Sequence, residues 1–231
     1  VKKKQVINIK AQKGDGDQLL PISTNMPINL RRYKLLVKPN KQRIPRWWRT
    51  RPDNFSNVTV IWIGGAEHEG IGIPTPEAPQ MEYNTHEDIY AAQLVFNASN
   101  INLWQVPRNT YRQLLLSFAE INVRVKNNGE LGSYLYKELV ETINWWDAQG
   151  RLLGETYCMG DSALVLLSAL HTSYEPDPGS STYREIDCPE LLINGAYKSN
   201  SEGRKIRVYD YLDSRLLFED FFNKLTILAS K

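Results

Sequence analysis

The pattern of hydrophobic and polar residues changes sharply at Val58. From Val58 to Ile63 the chain is a run of β-branched and aromatic residues, closed by Gly64-Gly65. Such a run is typical of a strand that is buried in a parallel sheet and followed by a functional turn. Residues 101–106 and 204–209 also carry strand-like patterns. We therefore predict three strands here, with a candidate site at the turn after the first.

Helical periodicity follows between and after these strands. Apolar residues recur every three to four positions in five stretches, each of which predicts a helix: residues 87–97, 110–126, 131–146, 161–170 and 214–228. Alternating strands and helices are typical of an α/β fold with an open, mostly parallel sheet flanked by helices. We therefore predict one α/β domain over residues 58–231, with its site at the carboxyl ends of the strands.

Residues 1–57 have a different character. They show one clear strand pattern, at Gln5–Ile9, and otherwise no sustained period. They carry 14 Lys and Arg residues against three acidic residues, whereas the remainder carries 14 against 23. A basic arm on an acidic body is compatible with contact with nucleic acid or a membrane surface, and equally with docking of the arm on its own body. The arm lacks zinc-ligand spacing and an RNA-binding aromatic motif, so its charge leaves both interpretations open.

Composition and cysteine content narrow the class of protein. No apolar run approaches the roughly 18 residues that a membrane-spanning helix needs, and the apolar stretch after the first lysines is too short for a secretion signal. The chain of 231 residues contains two cysteines, which do not make a disulfide framework. We therefore expect a cytoplasmic protein without a membrane partner.

The segment Glu82-Tyr83-Asn84 is the first candidate for chemistry. A carboxylate and an amide two residues apart in an extended segment point the same way, an arrangement suited to hydrogen bonding with a polyol. The alternative is structural: Asn84 or Thr85 caps the following helix, and Glu82 is solvated.

The segment Met159-Gly160-Asp161-Ser162 is the second candidate. Asp161 precedes an apolar helix, and a carboxylate at the carboxyl end of a strand can bind a hard cation. The alternative is that Asp161 is an ordinary helix N-cap. The three histidines lack metal-binding spacing, and we interpret each as a surface or loop residue: His68, His86 and His171.

Several spaced blocks, taken together, carry a family resemblance. They are Val60-Ile61-Trp62-Ile63-Gly64-Gly65, Glu82-Tyr83-Asn84 followed by Asp88 and Leu94-Val95-Phe96, Trp104-Gln105-Val106-Pro107-Arg108, Gly160-Asp161-Ser162, and Arg207-Val208-Tyr209 through Glu219-Asp220-Phe221-Phe222. Over the C-terminal two-thirds of the chain they resemble the inosine/uridine-preferring nucleoside hydrolase family.

This resemblance implies a nucleoside N-ribohydrolase of purine and pyrimidine salvage. Such enzymes hydrolyse the N-glycosidic bond of ribonucleosides with one Ca²⁺, which binds the ribose 2′- and 3′-hydroxyls and the attacking water. The resemblance places Glu82 and Asn84 where the family binds ribose hydroxyls, and Asp161 at a calcium-binding aspartate. Gly160 stands where members carry a histidine that helps protonate the leaving base, and Ala66 replaces an asparagine.

The N-terminal part departs further from the family pattern. Members open with Asp-x-Asp and then Asp-Asp, which supply most calcium ligands and the catalytic base. On that alignment only Asp17 survives as a metal ligand, Asn8 replaces one aspartate, and Lys10 stands at the position of the base. Ca²⁺ prefers six to eight oxygen ligands, and a lysine repels it. On this alignment we therefore expect a degraded metal motif and a fold shortened on its N-terminal side.

Three functions stay open from the sequence. The resemblance favours hydrolysis of a ribonucleoside, acting as a small-molecule substrate, by a chain that can also form a homo-oligomer. The degraded metal motif favours a non-catalytic pseudoenzyme that binds a nucleoside or sugar. Contact with nucleic acid through the basic residues 1–57 is the further alternative.

Overall fold

The computed structural model describes residues 5–9, 58–97, 101–150, 154–170 and 180–230, with the backbone alone for residues 5–9 and Val58. These residues fall into two compact units. Unit 1 takes its residues from Val1–Thr110 and Thr172–Tyr211, and unit 2 takes its residues from Tyr111–His171 and Leu212–Lys231. The predicted domain, residues 58–231, contributes to both units.

The described strands, in chain order, are β1 (Gln5–Ile9), β2 (Val58–Ile63), β3 (Asn102–Val106), β4 (Leu115–Ser117), β5 (Thr156–Cys158), β6 (Thr182–Asp187), β7 (Glu190–Leu191), β8 (Tyr197–Lys198) and β9 (Lys205–Tyr211). The described α-helices are α1 (Tyr83–Glu87), α2 (Ile89–Asn97), α3 (Arg108–Tyr111), α4 (Phe118–Glu120), α5 (Gly129–Ala148), α6 (Ala163–Ala169) and α7 (Ser214–Ala229). A π-helical turn covers Ile121–Val125, and a 3₁₀ turn covers Gly160–Ser162.

Within the described residues, unit 1 is built on a sheet of strand order β1-β2-β3-β9-β6. The first four strands are parallel, and the edge strand β6 is antiparallel to β9. Ile63 pairs with Val106, so β2 and β3 end at the same level. The predicted α/β fold with an open, mostly parallel sheet is confirmed, and so is the strand at Gln5–Ile9.

The core of unit 1 explains why β2 forms where its pattern predicts. Val60 and Trp62 face α2, while Ile61 and Ile63 are also buried, so both faces of the strand are covered. A strand buried on both faces needs the continuous β-branched and aromatic run found here. Trp62 meets Phe96 of α2 edge to face, with ring centroids 5.1 Å apart.

Arg204, just before β9, stabilises the carboxyl end of α2. Its guanidinium donates to the carbonyl oxygens of Val95 at 2.6 Å and Ile101 at 2.7 Å, and also to that of Phe96. A charged donor at the end of a helix satisfies carbonyls that lack intrahelical partners. This contact joins α2, β3 and β9 at the amino ends of the two strands.

Unit 2 is mainly helical. Arg124, in the π-helical turn, forms a bidentate ion pair with Glu219 of α7, with both N–O distances 2.8 Å. The guanidinium of Arg124 also lies 3.9 Å from the ring centroid of Phe222. The antiparallel pair β4–β5 connects the start of this unit to the segment before Asp161.

The predicted helix over residues 110–126 is wrong. The chain instead forms the end of α3, strand β4, the short helix α4 and the π-helical turn. Ser117 begins α4 through a capping box: its hydroxyl accepts from Glu120 N at 3.2 Å, and Glu120 Oε2 accepts from Ser117 N at 3.0 Å. This reciprocal pair starts a helix in the middle of the apolar repeat.

The helix predicted over residues 87–97 is divided by Asp88. The backbone of Asp88 leaves the helical region, with φ −154° and ψ 80°, and its Oδ1 accepts from Ala91 N at 2.9 Å. It thus ends α1 and caps α2. The helices predicted over residues 131–146 and 214–228 are confirmed as α5 and α7. No helix in the described ranges is long and apolar enough to cross a membrane.

Candidate functional site

The turn after β2 is the centre of the candidate site. Gly64 and Gly65 have φ values of 155° and 88°. A Cβ on Gly65 would lie 2.3 Å from Tyr197 Oη and 2.5 Å from Gln105 Nε2, so the position accepts only glycine. Gly64 N donates to Val106 O at 3.0 Å, and Arg108 N donates to Gly65 O at 3.1 Å. These bonds hold the turn against the segment that follows β3.

Glu82 is a buried helix cap beside this turn. Its side chain is 1% exposed. Oε2 accepts from Gly65 N at 2.9 Å and from Thr85 N at 3.1 Å, and Oε1 accepts from Asn84 N at 3.0 Å. Glu82 is the N-cap of α1, so the structural alternative of a solvated Glu82 beside a capping Asn84 or Thr85 is wrong. Its predicted contact with a sugar stays a prediction.

Asn84 is bound to the end of β2. Its Nδ2 donates to Ile63 O at 3.0 Å, and the residue is half-buried. An amide has two N–H groups and a carbonyl oxygen. Within the described part of the chain its Oδ1 accepts no hydrogen bond, which leaves acceptor capacity for a ligand. The structure therefore brings Glu82 and Asn84 together at the carboxyl ends of β2 and β3.

A buried polar cluster, formed by His68, Gln105 and Tyr197, lies directly behind the turn. Gln105 Nε2 donates to Gly64 O at 3.0 Å and to Tyr197 Oη at 2.9 Å. Gln105 Oε1 lies 2.7 Å from His68 Nε2. The rings of His68 and Tyr197 are stacked, 4.3 Å apart and 7° from parallel. Every polar atom of the Gln105 side chain is thus used.

The hydrogen bonds of this cluster determine the tautomer of His68. Because Gly64 O only accepts, the Gln105 atom facing it must be the NH₂ nitrogen. Oε1 then faces His68 Nε2, which must carry the proton. Burial lowers the pKa of His68 and raises that of Tyr197 well above its ordinary value. His68 is in a loop but is buried, at 9% exposed, so its interpretation as a surface residue is wrong.

The loop after the turn is fastened by Arg108. Its Nε donates to Glu67 Oε1 at 2.8 Å, its Nη2 donates to Glu67 Oε2, and its Nη1 donates to Pro79 O at 2.5 Å. Burial opposes ionisation of Glu67, but hydrogen bonds from Arg108 and Thr75, with the charge of Arg108, lower its pKa to about 2. Asn109 Nδ2 also donates to Ile71 O at 3.0 Å. The loop is therefore held at both ends.

Asp161 lies in unit 2, in the 3₁₀ turn Gly160–Ser162. It follows the short antiparallel strand β5 rather than a strand of the parallel sheet. The N-cap of the 3₁₀ turn is Met159, and the N-cap of α6 is Ser162. The alternative that Asp161 is an ordinary helix N-cap is therefore wrong. Asp161 is half-buried. Burial, with a smaller contribution from the charge of Asp161, raises the pKa of Tyr157.

The other predicted positions for metal and base chemistry cannot be placed beside these residues. Asp17 and Lys10 lie outside the described residues, as does His171. Within the described ranges, no group of three or more His, Cys, Asp or Glu side chains could hold a metal ion. The described residues therefore do not by themselves fit calcium, and its binding stays a prediction.

Sequence reasoning missed the buried polar cluster and the Glu67–Arg108 pair. The segment Trp104-Gln105-Val106-Pro107-Arg108 entered only as part of the resemblance. A signal was available in it: a glutamine inside an otherwise apolar strand must find hydrogen-bond partners when buried. No comparable sequence signal marks His68 or Tyr197.

This chain is similar to known proteins in its three-dimensional structure. No family model matches the chain, and no curated protein matches it significantly. A plant nucleoside hydrolase has 14% sequence identity and a TM-score of 0.53, and the match covers 77% of this chain and 64% of that one. A purine-preferring ribonucleoside hydrolase from Gardnerella vaginalis has 16% identity and a TM-score of 0.52, with 79% and 56% covered.

The chain thus spans less than two-thirds of the length of both solved structures. At these identities the likeness concerns the fold alone. The chain has the fold of the nucleoside hydrolases, which supports the resemblance carried by its sequence.

Proposed function

We propose that this protein binds a ribonucleoside at the carboxyl ends of β2 and β3 and hydrolyses its N-glycosidic bond. The observation that carries the proposal is the placement of Glu82 and Asn84 beside the Gly64-Gly65 turn, in a chain with the fold of the nucleoside hydrolases. Ligands of open α/β sheets bind outside the carboxyl ends of the strands. Both residues lie at that edge of unit 1.

Asn84 is the residue we assign to direct contact with the ribose. It is half-buried, and its amide uses one donor on Ile63 O. A second N–H and the carbonyl oxygen suit neighbouring sugar hydroxyls, which both donate and accept. Glu82 is far more buried, and its carboxylate accepts hydrogen bonds from backbone N–H groups of the turn and of α1. We assign Glu82 the role of holding Asn84 and the turn in place.

The proposed reaction consumes one water and releases ribose and a free base. The water oxygen forms a bond to ribose C1′ while the N-glycosidic bond breaks, and its electron pair stays on the base nitrogen. The water loses a proton and the leaving nitrogen gains one, so atoms and charge balance. An oxocarbenium-like sugar is typical of such reactions. The catalytic base is unassigned, because Lys10 and Asp17 lie outside the described residues.

A non-catalytic nucleoside-binding protein is the second candidate. It is favoured by the burial of the Glu82 carboxylate and by Gly160, which stands where the resembled family carries a histidine. Without that histidine, the leaving base has no assigned proton donor. This candidate shares the ribose contact at Asn84 and differs only in chemistry.

A pair of asparagine variants tests the binding site. Asn84 and Asn102 are both half-buried, and each side chain donates one hydrogen bond. Asn84 donates to Ile63 O at 3.0 Å, and Asn102 donates to Thr59 Oγ1 at 2.9 Å. Asn102 lies at the amino end of β3, away from the proposed contact. We expect Asn84→Ala to weaken inosine and uridine binding about tenfold in calorimetry, and Asn102→Ala to leave it unchanged.

Ribose release separates the two candidates. Release from inosine or uridine in the presence of added Ca²⁺, abolished in Asp161→Ala, supports the hydrolase. Binding without release supports the non-catalytic protein. The proposed site is contradicted if Asn84→Ala and Asn102→Ala bind inosine and uridine with equal affinity. It is also contradicted if the unaltered protein binds neither nucleoside.

Other expectations from the sequence stay predictions. They are calcium binding through Asp161 and Asp17, the alternative of nucleic-acid contact through residues 1–57, and the capacity of the chain to form a homo-oligomer. Salt-sensitive binding of RNA would support the nucleic-acid interpretation. A cytoplasmic location stays a prediction as well.

A further inference from the structure

One peptide group at the candidate site is held from both sides by buried side chains. The carbonyl oxygen of Gly64 accepts from Gln105 Nε2 at 3.0 Å, and the amide of Gly65 donates to Glu82 Oε2 at 2.9 Å. These two atoms belong to the same planar peptide, so the direction of the C=O bond determines the direction of the N–H bond. A side chain that orients the carbonyl therefore orients the donor that meets Glu82.

Gln105 is itself held in a single orientation. Its Oε1 faces the protonated Nε2 of His68 at 2.7 Å, and its Nε2 also donates to Tyr197 Oη at 2.9 Å. Exchanging its nitrogen and oxygen would set an oxygen against Gly64 O and an N–H against the N–H of His68. The stacked rings of His68 and Tyr197 further restrict both partners. With His68 in this tautomer, rotating the amide would lose its hydrogen bonds to Gly64 O and to His68.

The orientation of the Gly64–Gly65 peptide affects Asn84 through two hydrogen bonds. Glu82 Oε1 accepts from Asn84 N at 3.0 Å, and Asn84 Nδ2 donates to the carbonyl of Ile63, the residue before Gly64. The two consecutive carbonyls at the end of β2 are thus bound by two amide side chains, Asn84 on one and Gln105 on the next. Moving the Gly64–Gly65 peptide would move both anchors of Asn84.

We propose that Gln105 is a positioning residue for the nucleoside site. It fixes the plane of the Gly64–Gly65 peptide, and through this peptide it fixes the Glu82 carboxylate that presents Asn84. The inference rests on the proposed function, since it assigns Gln105 to preparing the same ribose contact. Gln105 itself is fully buried, so we assign it no direct contact with the nucleoside.

A matched pair of buried polar residues separates positioning from stability. Thr110 is also fully buried in unit 1, and its hydroxyl donates to Tyr209 O at 2.6 Å; among the described residues it forms no hydrogen bond with the glycine turn. Gln105→Met and Thr110→Val each remove buried hydrogen bonds, so we expect both to lower the melting temperature. We expect only Gln105→Met to weaken inosine binding, by about tenfold, and Thr110→Val to leave it unchanged.

Hydrogen exchange of the Gly65 amide gives a readout that does not depend on nucleoside. The Gly65 N–H is protected by Glu82 in the unaltered protein. In Gln105→Met we expect its exchange, measured by NMR in the absence of nucleoside, to accelerate more than that of other amides of β2. In Thr110→Val we expect no selective change.

A third variant keeps the test available if Gln105→Met does not fold. In Gln105→Glu the introduced carboxyl can accept from His68 but donates to Gly64 O only when it is protonated. Burial raises the pKa of such a carboxyl. We therefore expect inosine affinity, relative to the unaltered protein at the same pH, to recover as the pH falls from about 8 to about 5.

The outcomes distinguish the two proposals. If the unaltered protein binds neither inosine nor uridine, the proposed function fails and this inference fails with it. If it binds and Gln105→Met binds equally well, or Gly65 exchange is unchanged, the positioning role alone is overturned. A loss in Gln105→Glu that is the same at every pH also overturns it.

Discussion

The two turns singled out from the sequence are built in different ways. The turn of unit 1, at Gly64-Gly65, is held by the side chains of Glu82 and Gln105. In the turn of unit 2, Met159 N donates to Leu114 O at 2.7 Å and Ser162 N donates to Met159 O at 2.9 Å. Buried polar side chains bind the peptide of the first turn, and these two bonds of the second turn join backbone atoms.

This difference bears on function. A buried polar side chain costs free energy unless its hydrogen bonds are complete, so a network of such groups fixes one geometry and tolerates few others. Residues that bind or react with a ligand need that kind of support. By this criterion the turn of unit 1 is the prepared site.

The largest predicted effect comes from the glycine at the centre of the first turn. Gly65→Ala combines a φ of 88° with contacts of 2.3 Å to Tyr197 Oη and 2.5 Å to Gln105 Nε2. We expect it to reduce the free energy of unfolding by about 3 kcal/mol or more. Gly70 has a φ of 70° with nothing within 4 Å of an added Cβ, so it isolates the backbone cost.

Gly70→Ala should reduce the free energy of unfolding by only about 1 kcal/mol. Urea denaturation monitored by tryptophan fluorescence measures both variants. Equal losses in Gly65→Ala and Gly70→Ala would mean that the tight packing around the first turn has been misjudged.

The next effect compares two helix caps. Glu82 accepts hydrogen bonds from several backbone N–H groups, whereas Asp213 caps α7 with a side-chain bond to Leu216 N at 2.8 Å. We expect Glu82→Ala to reduce the free energy of unfolding by about 2 kcal/mol and Asp213→Ala by about 1 kcal/mol. Only Glu82→Ala should also weaken inosine binding. If both variants bind inosine like the unaltered protein, Glu82 is a structural cap alone.

The sequence predicts the regular elements where burial alone determines the pattern. β2 is found at its predicted bounds because both of its faces are covered, and α5 and α7 keep a sustained helical period. The edge strand β6 was not predicted, since most of its side chains are exposed and its sequence, Thr-Tyr-Arg-Glu-Ile-Asp, has no apolar alternation. An edge strand needs little hydrophobic pattern to form once its neighbour is in place.

The candidate site could be located from the sequence but not constructed from it. A glycine pair after a buried strand, followed by Glu82 and Asn84, points to the carboxyl edge of the sheet, where the structure brings these residues together. The bonds that give the turn its geometry join residues 41 positions apart, as from Gln105 to Gly64, and 92 positions apart, as from Gln105 to Tyr197. Local spacing contains no information on such pairs.

Acid sensitivity gives the third prediction. The pKa of Glu67 is about 2 in the folded protein, below its ordinary value of 4.5, so the folded state favours the ionised form. The stabilisation is complete above pH 4.5 and is lost as the pH falls from 4.5 towards 2. Allowing for solvent screening, we expect the ionised Glu67 to contribute about 1–2 kcal/mol to the free energy of unfolding. In Glu67→Gln this part of the pH dependence, followed by urea denaturation, should disappear; an unchanged slope would contradict the buried ion pair.

A smaller effect is expected in the second turn. A Cβ on Gly160 would lie 3.0 Å from Cδ2 of Tyr111, a contact that a small ring movement relieves. We expect Gly160→Ala to reduce the free energy of unfolding by about 1 kcal/mol. Inosine binding measured by calorimetry should be unchanged. A large loss of binding would show that the second turn is as closely shaped for ligand as the first.

The smallest effect concerns Asp88, whose Oδ2 is buried without a hydrogen-bond partner among the described residues. Burial raises its pKa above 3.8, so the folded state binds the proton more tightly. Stability therefore decreases as the pH rises from 3.8 through the folded-state pKa. Asp88→Asn keeps a capping side chain and removes the buried charge. We expect a gain below about 1 kcal/mol at neutral pH, and a loss in thermal melting would contradict it.

The most direct measurement of the central claim is NMR mapping of inosine binding on the unaltered protein. The account predicts saturable shifts concentrated at Gly65, the Asn84 side-chain amide and the Gln105 side-chain amide. Shifts confined to residues 1–57, or to the exposed face of α5, with these three sets of signals unmoved, would contradict it.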